Sequence, residues 1–296
     1  MENLFFSVAE VPFVLHSDSN QRLKGLLPSY APFHVKAKEA AAPVFEVSID
    51  LTTVGPEADD EQIFKFDTMD MTNIVYRRKE GGYVFVIRNA QGEEAAHART
   101  DAHFVQTEVQ TFGEHASRAM GLNNVIMIAF AFASAHLGVL LIHSSVVFRK
   151  ERAHLFLGTS GTGKSTHSSL WLKHIEGTDL LNDDNPAVRF DAENGATVYG
   201  TPWSGKTPCY RQLHFAVGSI VLLHQAPHNR IRRLQGLMAF SAFGPSCSMM
   251  QWDEYSRTAE LHTIEQVVTS VPVFDLECLP DAAAAQLCCQ TVESAL

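Results

Sequence analysis

The chain has 296 residues, 46% hydrophobic and 19% charged, an ordinary globular balance that argues against disorder. A net charge of −10 with histidine neutral argues against a nucleic-acid partner held by a broad basic surface. The five cysteines, Cys209, Cys247, Cys278, Cys288 and Cys289, are odd in number and contain no C-x-x-C pair, which indicates neither a disulfide framework nor a zinc site but free thiols in a reducing compartment.

The length leans towards two domains. Near the N-terminus Glu2 and Glu10 stand where a secretory signal would carry positive charge and an unbroken apolar run, so the chain is read as cytoplasmic. Residues 1–110 predict a β-rich N-terminal domain, with short apolar or alternating runs at 44–49, 63–66, 74–76 and 83–87. Gly81-Gly82 marks a hairpin turn between the last two, and the acidic stretch 54–62 reads as a solvated loop. No catalytic cluster falls in this half, which is assigned a supporting or recognition role.

A second domain is expected over residues 111–296. It opens with a helical pattern from Phe112 to His136, ended by Gly138. Val125–Ile142 is apolar and uncharged over 18 residues, the lower edge of membrane-spanning length, but Ser134, His136 and Gly138 interrupt it. It is read as a buried helix running into a buried strand, with no membrane partner. Val139–Phe148 then predicts one strand, 149–152 a tight turn, and His154–Leu157 a second strand, so that a hairpin brings His143 near Gly158.

Gly158-Thr159-Ser160-Gly161-Thr162-Gly163-Lys164-Ser165-Thr166 satisfies the P-loop spacing G-x-x-x-x-G-K-[ST], between an apolar strand and a helix. Its glycines let backbone N–H groups approach phosphate oxygens, and the helix start adds partial positive charge. Gly158, Ser160, Gly161, Thr162, Gly163, Lys164, Ser165 and Thr166 are the expected nucleotide-binding residues, with Lys164 on the β- and γ-phosphates and Ser165 on Mg²⁺. Leu180–Asn185 is an apolar stretch ending in the Asp183-Asp184 pair, the counterpart expected to divide metal binding and proton acceptance between its two carboxylates. The loop Tyr199–Thr207 could line the acceptor side or simply pack Trp203 beneath a turn, and Lys206 and Arg211 are the cations expected nearest the phosphates.

Beyond it, strands are expected at 217–223, 231–234 and 273–278, with helices at 258–270 and 282–292. His224 and His228 stand four apart, but Pro227 between them argues against a helical metal face, leaving polar loop histidines.

The P-loop, His143 on the strand before it and the Asp183-Asp184 pair after its helix resemble the HPr kinase/phosphorylase family, which shares its nucleotide-binding core with ATP-dependent phosphoenolpyruvate carboxykinase. The likeness covers 135–185 well and extends more weakly through Gly200-Thr201-Pro202-Trp203 to Leu279. It implies an α/β fold with a P-loop core of that type behind the β-rich N-terminal domain, and a kinase using ATP and Mg²⁺ on an unidentified hydroxyl acceptor. Lys164, His143 and Asp183 are expected to be catalytic, Ser165 and Asp184 to hold metal, and Arg211 to assist at the nucleotide, while the order of the two aspartates is open. Homo-oligomers are known in that family. The glycine-rich signature associated with phosphorylase activity is missing, as are clear counterparts of the carboxykinase substrate arginine and its metal-binding lysine and histidine. An ATP-binding regulator without chemistry and a carboxykinase-like enzyme are the alternatives.

Overall fold

Alternation writes the first sheet: along Phe45-Glu46-Val47-Ser48-Ile49 every second side chain is buried and those between are half-exposed. The structure, a computed structural model, describes residues 2–67, 71–205 and 207–295. It is a mixed α/β protein with two large β-sheets and several helices. Contacts divide it into two units, Met1–Ser134 with Met250–Asp253, and Ala135–Met249 with Glu254–Leu296.

The first unit contains β1 (Glu2–Val8), β2 (Val11–Ser17), α1 (Asn20–Leu26), β3 (His34–Val35), β4 (Phe45–Ile49), β5 (Glu61–Asp67), β6 (Met71–Arg77), β7 (Tyr83–Asn89), β8 (Glu94–Thr100), β9 (Gln106–Thr111) and α2 (His115–Ala133). Its strands form one sheet in the order β3-β1-β2-β4-β9-β8-β7-β6-β5. The β6–β7 turn falls at Gly81-Gly82, where φ is +95° and +80°. A Cβ on Gly82 would lie 2.1 Å from the Thr100 carbonyl oxygen, so only glycine fits. Helix α2 packs on β8 and β9 and buries Leu122, Val125, Ile126 and Phe130. Among the described helices it alone is long and apolar enough to cross a membrane, and 56% of its apolar window is buried within the protein. The expected boundary at 110/111 precedes this helix, whereas the division by contacts follows it.

The second unit contains β10 (Val139–Leu141), β11 (Ser144–Arg149), β12 (Arg152–Leu157), α3 (Lys164–His174), β13 (Asp179–Asp184), β14 (Ala187–Asp191), β15 (Gly195–Tyr199), β16 (His214–Gln225), β17 (Arg230–Leu234), α4 (Leu237–Phe243), α5 (Glu254–Ser270), β18 (Val273–Cys278) and α6 (Ala282–Glu293). The strand path is β10-β14-β15-β16-β12-β11-β13, with β18 alongside the later part of β16 and β17 beyond it. Alternate residues face opposite layers. Val147, Phe156, Val221 and Phe274 meet Trp171 and Cys288 on the α3 and α6 side, whereas Val146, Leu155, Ile220 and Val273 meet Phe243, Ile264 and Val267 on the α4 and α5 side. Each large side chain so buried contributes about 1.5–3 kcal/mol relative to exposure.

The single strand expected over 139–148 is instead broken. Residues 139–141 pair with β14 and 144–149 with β12 and β13. Between them the Ile142 N–H donates to the Pro186 carbonyl at 3.0 Å, while the His143 N–H, on the opposite edge of the strand, donates to Ser246 O at 2.7 Å. Pro186 has no N–H to return to the Ile142 carbonyl, so one bond of the ladder is missing at this point. The result is one antiparallel ribbon interrupted at Ile142-His143, with Asp184 paired to Ser144 at the next position.

Candidate functional site

Strand β11 is antiparallel to both β12 and β13, so those two run parallel to each other, while β16 is parallel to β12 and β18 to β16. All four therefore end on the same side of the sheet. That edge gathers the loop 158–163, the Asp183-Asp184 pair, His224-Gln225 and Cys278-Leu279. The crevice outside the carboxyl ends of parallel strands is where open α/β sheets bind ligands.

The glycine loop has the backbone its sequence calls for. Gly161 and Gly163 adopt φ of +82° and +109°, which an L side chain resists. Gly163 is the left-handed residue from which α3 starts; no side chain caps that helix end and no acidic residue occupies its first turn. Its first N–H groups have no partner within the helix and present positive partial charge. Ser160, Ser165 and Thr166 are exposed on this loop and first turn. Thr159 and Thr162 bond through their hydroxyls at 2.8 Å, and Gln225 donates from Nε2 to the carbonyls of Gly161 at 3.2 Å and Thr162 at 3.3 Å. Those contacts tie the loop to the end of β16.

Lys164 folds back to donate from Nζ to the Gly158 carbonyl at 2.9 Å. Burial lowers its pKa, and Asp184 and Asp183 pull the other way. The two carboxylates stand on opposite faces of β13. Asp183 lies opposite Ser145, whose hydroxyl meets Ser168 of α3 at 2.6 Å, so Asp183 is on the α3 face. It is 6% exposed, and its Oδ1 is buried with no hydrogen-bond partner.

Asp184 lies on the other face, opposite Ser144. Its Oδ1 is 3.6 Å from His143 Nε2, and its Oδ2 accepts from Asn185 Nδ2 at 2.8 Å. Burial raises the Asp184 pKa, against the lowering pull of His143 and Lys164. Burial, then the Lys164 charge, holds the His143 imidazole below its ordinary value, while Asp184 raises it. A neutral imidazole beside a carboxylate that resists ionisation is an arrangement suited to moving a proton.

The loop after β15 closes over this strand end. Asn182 Nδ2 donates to Thr201 Oγ1 at 3.1 Å and to the Trp203 carbonyl at 3.2 Å, and the Gly205 N–H donates to Asp183 O at 3.0 Å. Trp203 is 2% exposed, so the indole packs beneath the turn and lines no open acceptor surface. The structure thus brings together Gly158, Ser160, Gly161, Thr162, Gly163, Lys164, Ser165, Thr166, His143, Asp183 and Asp184. Arg211 is placed elsewhere. Its guanidinium pairs with Asp179 at 2.6 Å, at the other end of β13 from Asp184. Five residues of strand separate these aspartates by on the order of 16 Å. Lys206 lies outside the described residues.

The histidines expected in a polar loop have different acid partners, His224 with Asp275 and His228 with Glu277, each at 2.9 Å. Among the described residues no group of three or more His, Cys, Asp or Glu converges to hold a metal alone. Sequence reasoning missed Gln225, and it placed Asn182 and Thr201 in site segments without foreseeing the contact between them that shapes the site. A scan against protein-family models and a search of curated proteins each find no match.

Proposed function

We propose that this chain is a cytoplasmic ATP-dependent kinase with a P-loop core of the HPr kinase/phosphorylase and phosphoenolpyruvate carboxykinase type. It transfers the γ-phosphoryl group to a hydroxyl acceptor. The supporting observation is the convergence at one sheet edge of a glycine loop, a half-buried lysine, two carboxylates and a histidine. In this reading the loop amides and Lys164 hold the triphosphate, with Lys164 exchanging the Gly158 carbonyl for phosphate oxygen.

The geometry favours reversing the order of the aspartates given above. Asp183 has a buried oxygen without a partner and faces α3, so it and Ser165 are the donors that would hold Mg²⁺, which when bound neutralises phosphate charge. Asp184 accepts the proton of the attacking hydroxyl, and His143 positions its carboxylate. Transfer is favoured over hydrolysis because this general base lies across the strand from the metal donor, on a face where an acceptor can approach.

The test is incorporation of label from γ-labelled Mg-ATP into proteins and small molecules of a cell extract, comparing wild type with the Asp183→Asn, Asp184→Asn double variant. The variant is expected to lose transfer by at least a hundredfold, within the range for removing proton-transfer catalysis. Transfer surviving in it removes the aspartates from the mechanism. Mg-ATP binding without transfer to any acceptor converts the reading to a nucleotide sensor, and nucleotide-dependent release of CO₂ from oxaloacetate to a carboxykinase.

A further inference from the structure

Strand order gives the site a direction. The loop follows β12; β11 and β13, with His143 and the aspartates, lie on one side of it, and β16 and β18 lie on the other. On that second side a cavity of about 540 Å³ opens against Gly161–Gly163, between α3 and the ends of β16 and β18. Its walls include Leu170, Leu223, Pro227 and Leu279, and among its lining residues there is no aspartate or glutamate.

His167 also lines it. Trp171 Nε1 donates to His167 Nε2 at 3.1 Å, and burial lowers the imidazole pKa to about 4. The neutral ring therefore carries its proton on Nδ1, and that buried nitrogen has no acceptor in the protein.

The geometry points to this cavity as the nucleoside site, taking a purine nucleoside triphosphate whose γ-phosphate faces Asp184 and whose base lies between Leu170 and Leu279. The inference rests on the phosphate-binding reading of the loop. It goes further in stating what selects the donor. A carboxylate on the ring N–H and amino groups is a common way to choose guanine over adenine, and the lining residues of this cavity include none, so adenine and guanine nucleotides are expected to bind alike. Affinity comes instead from burying the base, whichever purine it is.

Cys278 provides a readout independent of activity. It lines the cavity and is the one partly exposed cysteine among the described residues, the other four being buried. Burial raises its pKa, so alkylation is run in mild alkali and mapped by peptide mass. Mg-ATP and Mg-GTP are expected to slow alkylation of Cys278 at least fivefold and to bind within about tenfold of each other, whereas Mg-tripolyphosphate binds at least tenfold more weakly and leaves Cys278 open. Ala226→Phe, which fills the cavity from the end of β16, is expected to cost Mg-ATP at least tenfold in affinity and to leave tripolyphosphate unchanged. Tripolyphosphate matching ATP, or ATP binding without protecting Cys278, overturns the cavity while the loop reading stands. A tenfold or greater preference between the two purines overturns the selection argument, and failure of all three ligands to bind overturns the loop reading and the cavity with it.

Discussion

Acidification is expected to loosen the helix that follows the glycine loop. His154 of β12 and His167 of α3 both contact the same buried ring system, His154 with its centroid 5.2 Å from Trp171, and His167 4.7 Å from Phe156. Burial is the leading cause that lowers each imidazole from 6.5 to about 4. For a base whose native pKa is depressed, the unfolded state binds more protons between the two values. Stability is therefore full above about 6.5 and is lost as pH falls towards 4. Between about pH 7 and about pH 5 each histidine loses about 2 kcal/mol, so the pair accounts for about 4 kcal/mol if they titrate independently. Because there are two units, a single unfolding midpoint would mix them. Hydrogen exchange over 164–174 and 214–225 as a function of pH reads the second unit alone. The slope is expected to flatten by about half in His167→Gln and further in the double variant with His154→Gln. An unchanged slope in the double variant refutes the assignment of this acid sensitivity to the two rings.

Lys164→Met removes a charge-assisted phosphate contact of about 1.5–3 kcal/mol, so stabilisation by Mg-ATP at a hundredfold excess over the wild-type Kd falls from about 2.7 to about 1.3 kcal/mol or less, read by thermal shift. Gly205→Ala would place a Cβ 2.7 Å from Asp183 O and 3.2 Å from Asp184 Cβ. It is expected to destabilise the second unit by about 1–3 kcal/mol and to weaken ATP binding more with Mg²⁺ than without, by titration calorimetry. Arg211→Ala breaks only a partly exposed pair with Asp179, and should change stability by about 1 kcal/mol or less with nucleotide affinity intact.

What the sequence made legible was local. Gly158–Thr166 encodes its own turn and helix start, and the apolar run into Asp183-Asp184 encodes a strand end, so both were placed without knowledge of their neighbours. The β1–β2 hairpin was not, because its turn is Ala9-Glu10 at φ of +49° and +60° and lacks the Asn-Gly signal that such angles usually require. The β14–β15 hairpin and α4 were likewise unread. Arg211 was assigned by charge alone, and the deciding partner, Asp179, lies 32 residues away in sequence. The fold-back of 200–205 depends on Asn182 meeting Thr201, 19 residues on, and no periodicity records such a meeting.

The interrupted ribbon separates what a residue touches from what it controls. Pro186 is two positions beyond Asp184, and its influence on the carboxylate comes through a hydrogen atom that it lacks. Restoring that atom with any ordinary residue would give the Ile142 carbonyl its missing donor and join the two stretches of ladder, resetting the strands that carry His143 and Asp184. The chain would thus lose its arrangement of acid and imidazole with every side chain at the glycine loop unaltered, so the vocabulary of its chemistry is wider than the set of groups that meet a ligand.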